Sequence, residues 1–154
     1  MKRIISLALL LQGSIGFSYN PNHVDQLKET GSCYKCDLRE ADLSGLELSQ
    51  SYLREARLDG ANLSGADLRN SNLWGANLMK ANLTASDFSG SDLSYTRITE
   101  VNAMGLTAIN AKFKGANLGE SNFSNANLTG SDLTFANTRR TVFTNAILED
   151  TKGL

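Results

Sequence analysis

Residues 61–83 read Ala61-Asn62-Leu63-Ser64-Gly65-Ala66-Asp67-Leu68-Arg69-Asn70-Ser71-Asn72-Leu73-Trp74-Gly75-Ala76-Asn77-Leu78-Met79-Lys80-Ala81-Asn82-Leu83, with a leucine at every fifth position. The same step reaches back through Leu58, Leu53, Leu48 and Leu43 to Leu38, and forward through Phe88, Leu93 and Ile98. It falters at Ala103 and Ala108, resumes at Phe113, Leu118, Phe123, Leu128 and Leu133, skips Thr138, and ends at Phe143 and Leu148. Two residues before each large residue stands a small one, such as Ala61, Ala66, Ser71 and Ala76; Leu46 and Leu106 break that rule. Immediately before it, Asp or Asn dominates, as at Asp42, Asn62, Asp67 and Asn72.

A period of five matches neither the 3.6 of a helix nor the 2 of a strand. A chain that turns one large and one small residue inward every five positions must bend a corner at each repeat. Four corners close a coil of 20 residues, and coils stack at the strand spacing of about 4.8 Å. Backbone groups then bond to the coils above and below, so a proline inside the array would remove a donor. The only proline, Pro21, precedes the array. Gly45, Gly60, Gly65, Gly75, Gly90, Gly105, Gly115 and Gly130 share one turn position, where a missing Cβ eases tight backbone angles.

The units ADLSG, ANLSG, ADLRN, ANLMK, ANLTA, SDFSG and ANLTG resemble the pentapeptide-repeat family over residues 36–150. The resemblance implies an all-β fold, a right-handed quadrilateral β-helix, about five to six coils and roughly 25–30 Å long. It implies architecture rather than chemistry, because the family has no common catalytic site.

Composition narrows the function. The 154 residues hold 15 Lys and Arg against 16 Asp and Glu, too little positive charge for a nucleic-acid groove. One His and two Cys exclude most metal and nucleophile constellations. Lys2 and Arg3 precede the apolar run Ile4 to Leu11, and Gly16 and Ser18 supply small residues before a cut. That is the layout of a secretory signal peptide over residues 1–18. The run is too short for a membrane span, which needs about 20 residues. Cleavage leaves 13 basic residues against 16 acidic, a net charge of −3. Export to a periplasm, or to a thylakoid lumen in a photosynthetic source, is expected.

Residues 19–35 are expected to cap the first coil. Asn20 is placed as N-cap, Pro21 at the first helical position and Gly31 at the stop, with Val24 and Leu27 on one face. At the other end the repeat stops at residue 150 and a tail of 151–154 follows. There Val142 and Ile147 occupy positions that are polar elsewhere. They mark a self-association edge, covered either by its own last turn or by a second copy in a homodimer. The stretch 101–110 keeps the count but loses its large residues, and a local bulge is expected, with Met104, Leu106 or Ile109 filling the space.

Cys33 and Cys36 form a CxxC motif in which both register positions point inward. Redox catalysis would want a βαβ setting, and zinc would need four ligands where His23 and two cysteines give three. In an oxidising compartment the pair reads as a structural disulfide pinning the cap to the first coil; a buried reduced pair is the rival. The exported, thylakoid-lumen members of the family are similar here, with CxxCDL opening the array. His23 lacks triad partners and reads as a surface residue of the cap. The recurring carboxylates belong to the scaffold, so no catalytic residue, metal or cofactor is expected.

Folding the sequence at 20 residues per coil puts Tyr52, Arg54, Trp74, Tyr95, Lys112, Lys114 and Phe135 on one face. Rigid aromatics mixed with basic side chains are what binding hot spots are made of. Another face carries Ser44, Ser64, Thr84, Ser124 and Thr144 beside Asn62, Asn82, Asn102 and Asn122, a polar ladder that reads as scaffold. The expected function is a non-enzymatic exported scaffold that shows its aromatic face to a protein or envelope component. The alternative comes from the quinolone-resistance branch of the family, whose members mimic DNA and bind the topoisomerase gyrase. That branch implies a cytosolic, strongly acidic protein with a C-terminal dimerising helix, features this sequence lacks.

Overall fold

The computed structural model describes residues 18–154; the expected signal peptide lies outside the described residues except for Ser18. Among the described residues every β-bridge joins residue i to residue i + 20, in parallel, from Ser32↔Tyr52 to Asp132↔Lys152. Pairings recur every five residues, so each coil of 20 carries four ladders and has four sides. The register spans Ser32 to Lys152, slightly wider at both ends than the repeat pattern. A typical rung has Leu53 N–H donating to the Asn72 carbonyl at 2.7 Å and Asn72 N–H returning to the Ser51 carbonyl at 2.8 Å.

The inward pair of each repeat fills the coil. Leu38, Leu43, Leu53, Leu58, Leu63, Leu68, Leu73 and Leu78 are completely buried, as are Ala41, Ala56 and Ala61. Each such leucine contributes about 1.5–3 kcal/mol relative to leaving it in water. The corner residue two positions after each leucine is left-handed. Glycine takes it at φ 64–72° in Gly45, Gly60 and Gly65, but Lys35, Ala85, Tyr95, Phe135 and others take it too. Left-handed backbone costs a non-glycine residue roughly 1–2 kcal/mol, which the stacked ladders offset.

The Asp or Asn before each leucine caps the corner. Its Oδ1 accepts the backbone N–H two residues on, as from Ser64 to Asn62 at 3.2 Å and from Ser89 to Asp87 at 2.9 Å. This is an Asx turn, and it explains a preference the sequence displays without its reason. Several of these carboxyls sit below the ordinary aspartate range. Asp42 is held down chiefly by the Ser44 hydroxyl, Asp132 by the Thr134 hydroxyl, and Asp37 and Asp67 by Arg39 and Arg69.

Residues 101–110 contain no bulge, contrary to the expectation. Asn102 pairs with both Asn82 and Asn122, and Thr107 with both Asp87 and Asn127. The space beside Ala103 and Ala108 is filled by Leu106, which is 2% exposed, and by Phe88, Phe113 and Phe123. Phe113 and Phe123 meet edge to face with centroids 6.5 Å apart. The cavity among these rings measures only about 10 Å³. Met104 points out to solvent at 41% exposure.

Helix α1, Pro21–Thr30, covers the first coil with Val24 and Leu27 buried. Asn20 accepts from Asn22 N–H, and Gly31 at φ 65° closes the helix by donating to the Leu27 carbonyl. His23 is no free surface residue, contrary to expectation: its Nδ1 accepts the Asp37 backbone N–H at 2.9 Å. That donor lies on the open rim of the first coil, so the imidazole satisfies a group with no coil beyond it. At the far end Phe143 and Leu148 are only partly buried, while Val142 and Ile147 are 45% and 51% exposed.

Candidate functional site

The i to i + 20 register runs Ser32, Tyr52, Asn72, Asp92, Lys112, Asp132, Lys152 along one side of the solenoid. The predicted aromatic and basic residues therefore do share that side. Its outward side chains fold along the coil axis and touch from coil to coil. The Arg54 guanidinium stacks over Trp74 at 4.6 Å from the ring centroid, a favourable cation–π geometry. Trp74 and Tyr95 lie 5.7 Å apart with planes tilted by 59°. Tyr95 then lies across Gly115, where a Cβ would come within 2.8 Å of its ring. Ser94, next to Tyr95 and one coil beyond Trp74, is buried although its position faces outward. Arg54 Nε is buried and meets no hydrogen-bond partner among the described residues.

The strip extends toward the helix cap. Tyr34 and Tyr52 have centroids 6.4 Å apart. Lys35 sits 5.1 Å from the Tyr34 centroid and pairs with Glu55 at 3.3 Å. Tyr34 and Lys35 were not among the predicted residues, although Tyr34 is 20 positions before Arg54 and the same folding of the sequence contains it. Four of the seven predicted residues, Tyr52, Arg54, Trp74 and Tyr95, thus occupy one continuous half of the side. Lys112 and Lys114 stand farther along without ion pairs among the described residues. Phe135 stands apart in the last coil at 84% exposure, with no ring neighbour among the described residues.

Cys33 and Cys36 are buried at the first corner with their sulfurs joined at 2.03 Å. Both residues follow helix α1, so the bond staples the first corner of the coil rather than tying the helix to it. The helix is held by Val24, Leu27 and His23. Among the described residues no group of His, Cys, Asp and Glu is placed to hold a metal ion, and no helix is long and apolar enough to cross a membrane.

The sequence matches the Pentapeptide repeats family in eight copies, over residues 36–75, 61–102 and 109–150. The chain belongs to the pentapeptide-repeat family. The gap in the match, 103–108, runs from one core alanine to the next. A solved pentapeptide-repeat protein from the thylakoid lumen of Arabidopsis thaliana is 31% identical, covering 68% of this chain and 66% of its own, with a TM-score of 0.50. The HetL protein of the cyanobacterium Nostoc, a pentapeptide-repeat protein involved in heterocyst differentiation regulation, is 32% identical over 78% of this chain and 62% of its own, with a TM-score of 0.37. A third, from Nostoc, is 24% identical over 83% of this chain and 94% of its own, with a TM-score of 0.52, a likeness of fold alone. The chain thus spans just under two thirds of the length of the first two. No curated protein matches it in sequence. The family match and the lumenal structure establish the pentapeptide-repeat scaffold, a right-handed β-helix.

Proposed function

We propose that this pentapeptide-repeat protein is a non-enzymatic, exported scaffold that holds a partner protein or envelope component against its aromatic side. The observation that carries the reading is the unbroken contact of Arg54, Trp74 and Tyr95 along one side. Rings already packed against neighbours lose little freedom on binding, which favours them as anchors. The exposed tyrosines Tyr34, Tyr52 and Tyr95 extend the same apolar surface.

Export draws support from the N-terminal sequence, from the joined cysteines and from the lumenal relative. A disulfide persists where thiols are not kept reduced. The intact mass of the protein from its native host tests this directly. The expected mass lacks residues 1–18, and alkylation occurs only after reduction; a full-length mass with free thiols refutes it. The topoisomerase-binding alternative gains no specific observation. For the aromatic side, the Trp74→Ala/Tyr95→Ala pair should lose retention of the partner from envelope extract while keeping its thermal transition. Full retention by that variant refutes the assignment.

A further inference from the structure

A second side of the solenoid carries a notch of about 280 Å³ between its fourth and last coils, floored by Gly119. Ten of the described glycines have left-handed backbone, and Gly119 is the one that does not. The corner geometry therefore does not demand glycine there. The same column holds Arg39, Asp59, Met79, Thr99 and Arg139 in the other coils. A Cβ on Gly119 would meet Asn117 Oδ1 at 3.2 Å and the Arg139 carbonyl at 3.5 Å, so a side chain fits with slight yielding. What the glycine provides is open space.

Three hydrogen-bond donors around that space lack partners among the described residues. In seven repeats an outward Ser or Thr hydroxyl bonds the Asx before the large inward residue, as Thr84 does to Asn82 at 2.6 Å. Thr99 is denied this because Arg97 stands in the Asx position. The Asn117 carboxamide oxygen accepts from Gly119 N–H and from Asn137 Nδ2 at 2.9 Å, but its own NH₂ donates to nothing. The Arg139 guanidinium is unpaired, while its neighbour Arg140 bonds Glu120 at 3.1 Å. The opposite wall is acidic: Glu100, 3.7 Å from Lys80, and Glu120 stack one coil apart.

We propose that this notch binds a small zwitterion, an amino acid or short peptide. Its carboxylate would meet Arg139, Asn117 and Thr99, and its ammonium Glu100 and Glu120. Glu100 and Glu120 each keep one carboxylate oxygen outside their exposed pairs with Lys80 and Arg140, so an ammonium can meet that wall while a carboxylate meets the guanidinium. The volume lies just below the usual range of ligand sites, roughly 300–1,000 Å³, which suits a molecule of this size. The notch is on a different side from the aromatic strip, and the proposal stands independently of it.

The test is titration of the full folded chain with glycylglycine, followed by the amide signals of Gly119 and Glu120. Saturable shifts are expected, with glycinamide and N-acetylglycine, each missing one charge, binding at least about tenfold more weakly. Glycine binding equally well assigns a free amino acid; binding of glycylglycine alone assigns a short peptide. Gly119→Met, a side chain this column already accepts at Met79, should abolish the shifts with the thermal transition unchanged. Arg139→Gln should remove the advantage of glycylglycine over glycinamide. Absence of saturable shifts, equal binding of all three probes, or an unaltered titration in Gly119→Met overturns the proposal.

Discussion

Two sides of the solenoid share one backbone and differ in whether their outward groups are satisfied. On the side of Asp42, Asn62, Asn82 and Asn122, each Asx oxygen accepts from the Ser or Thr two residues on, and amides bond from coil to coil. Asn62 Nδ2 reaches Asp42 and Asn82 Nδ2 reaches Asn62, both at 3.2 Å. From Asp42 to Asn82 that side is closed upon itself. On the side of Arg54, Trp74 and Tyr95 the groups pack but do not saturate: Arg54 Nε is buried without a partner, and Tyr34 and Tyr95 each leave half their surface in water. A side that spends its polar groups internally has little to offer a partner. One that keeps rings and cations in excess has much, and the contrast is why the aromatic side is assigned the binding role.

The comparison breaks most severely through what both sides share. Phe123 lies under the weak stretch 103–108, and Phe123→Ala is expected to cost about 3–5 kcal/mol of stability. Urea unfolding should show one transition shifted for the whole array, followed equally by probes on either side. Two separate transitions would mean the coils are not mechanically continuous.

The next effect separates the sides. Trp74→Ala should weaken partner affinity by about 2 kcal/mol or more, roughly 30-fold, read by surface-immobilised binding. Asn82→Ala on the polar side should do the converse, leaving affinity unchanged and lowering stability by about 1 kcal/mol. Equal loss of affinity from both substitutions would remove the distinction.

Acid gives the smallest effect, because the carboxyls concerned lie at the surface, Asp42 exposed and Asp37, Asp67 and Asp132 half-buried. Asp37, Asp42, Asp67 and Asp132 have folded-state pKa values below the ordinary value. Their contribution is therefore complete above the unfolded-state value of about 4 and is lost as pH falls through the depressed folded values. Thermal midpoints should be flat above about pH 5 and decline below about pH 4. Asp42→Asn preserves the Asx turn that Asn62 makes and should reduce the decline.

Much of the fold is legible because the period of five is itself a geometric instruction. Inward positions, coil length and the helix from Pro21 to Thr30 all follow from residue type and spacing. The stretch 101–110 reads as a bulge for a physical reason: taken locally, Ala103 and Ala108 are lost volume. The compensating Phe113 and Phe123 belong to positions that become neighbours only when coils stack. His23 was misread similarly, since its partner, the Asp37 N–H, is a rim donor visible only once the first coil exists. On the aromatic side the column was readable at 20 residues per coil. That the rings bend along the axis and touch was not, because side-chain direction is set by open ground such as Gly115. Among 13 glycines the sequence does not single out Gly119, since backbone angle is what sets it apart.

The most direct test of the central claim places one photo-reactive p-benzoylphenylalanine at Tyr95 and, in a second variant, at Ser64 on the polar side. Both are irradiated in the native host's envelope. The account predicts a discrete protein or envelope adduct from position 95, abolished by Trp74→Ala, and none from position 64. Adducts of the same size and yield from both positions would contradict it.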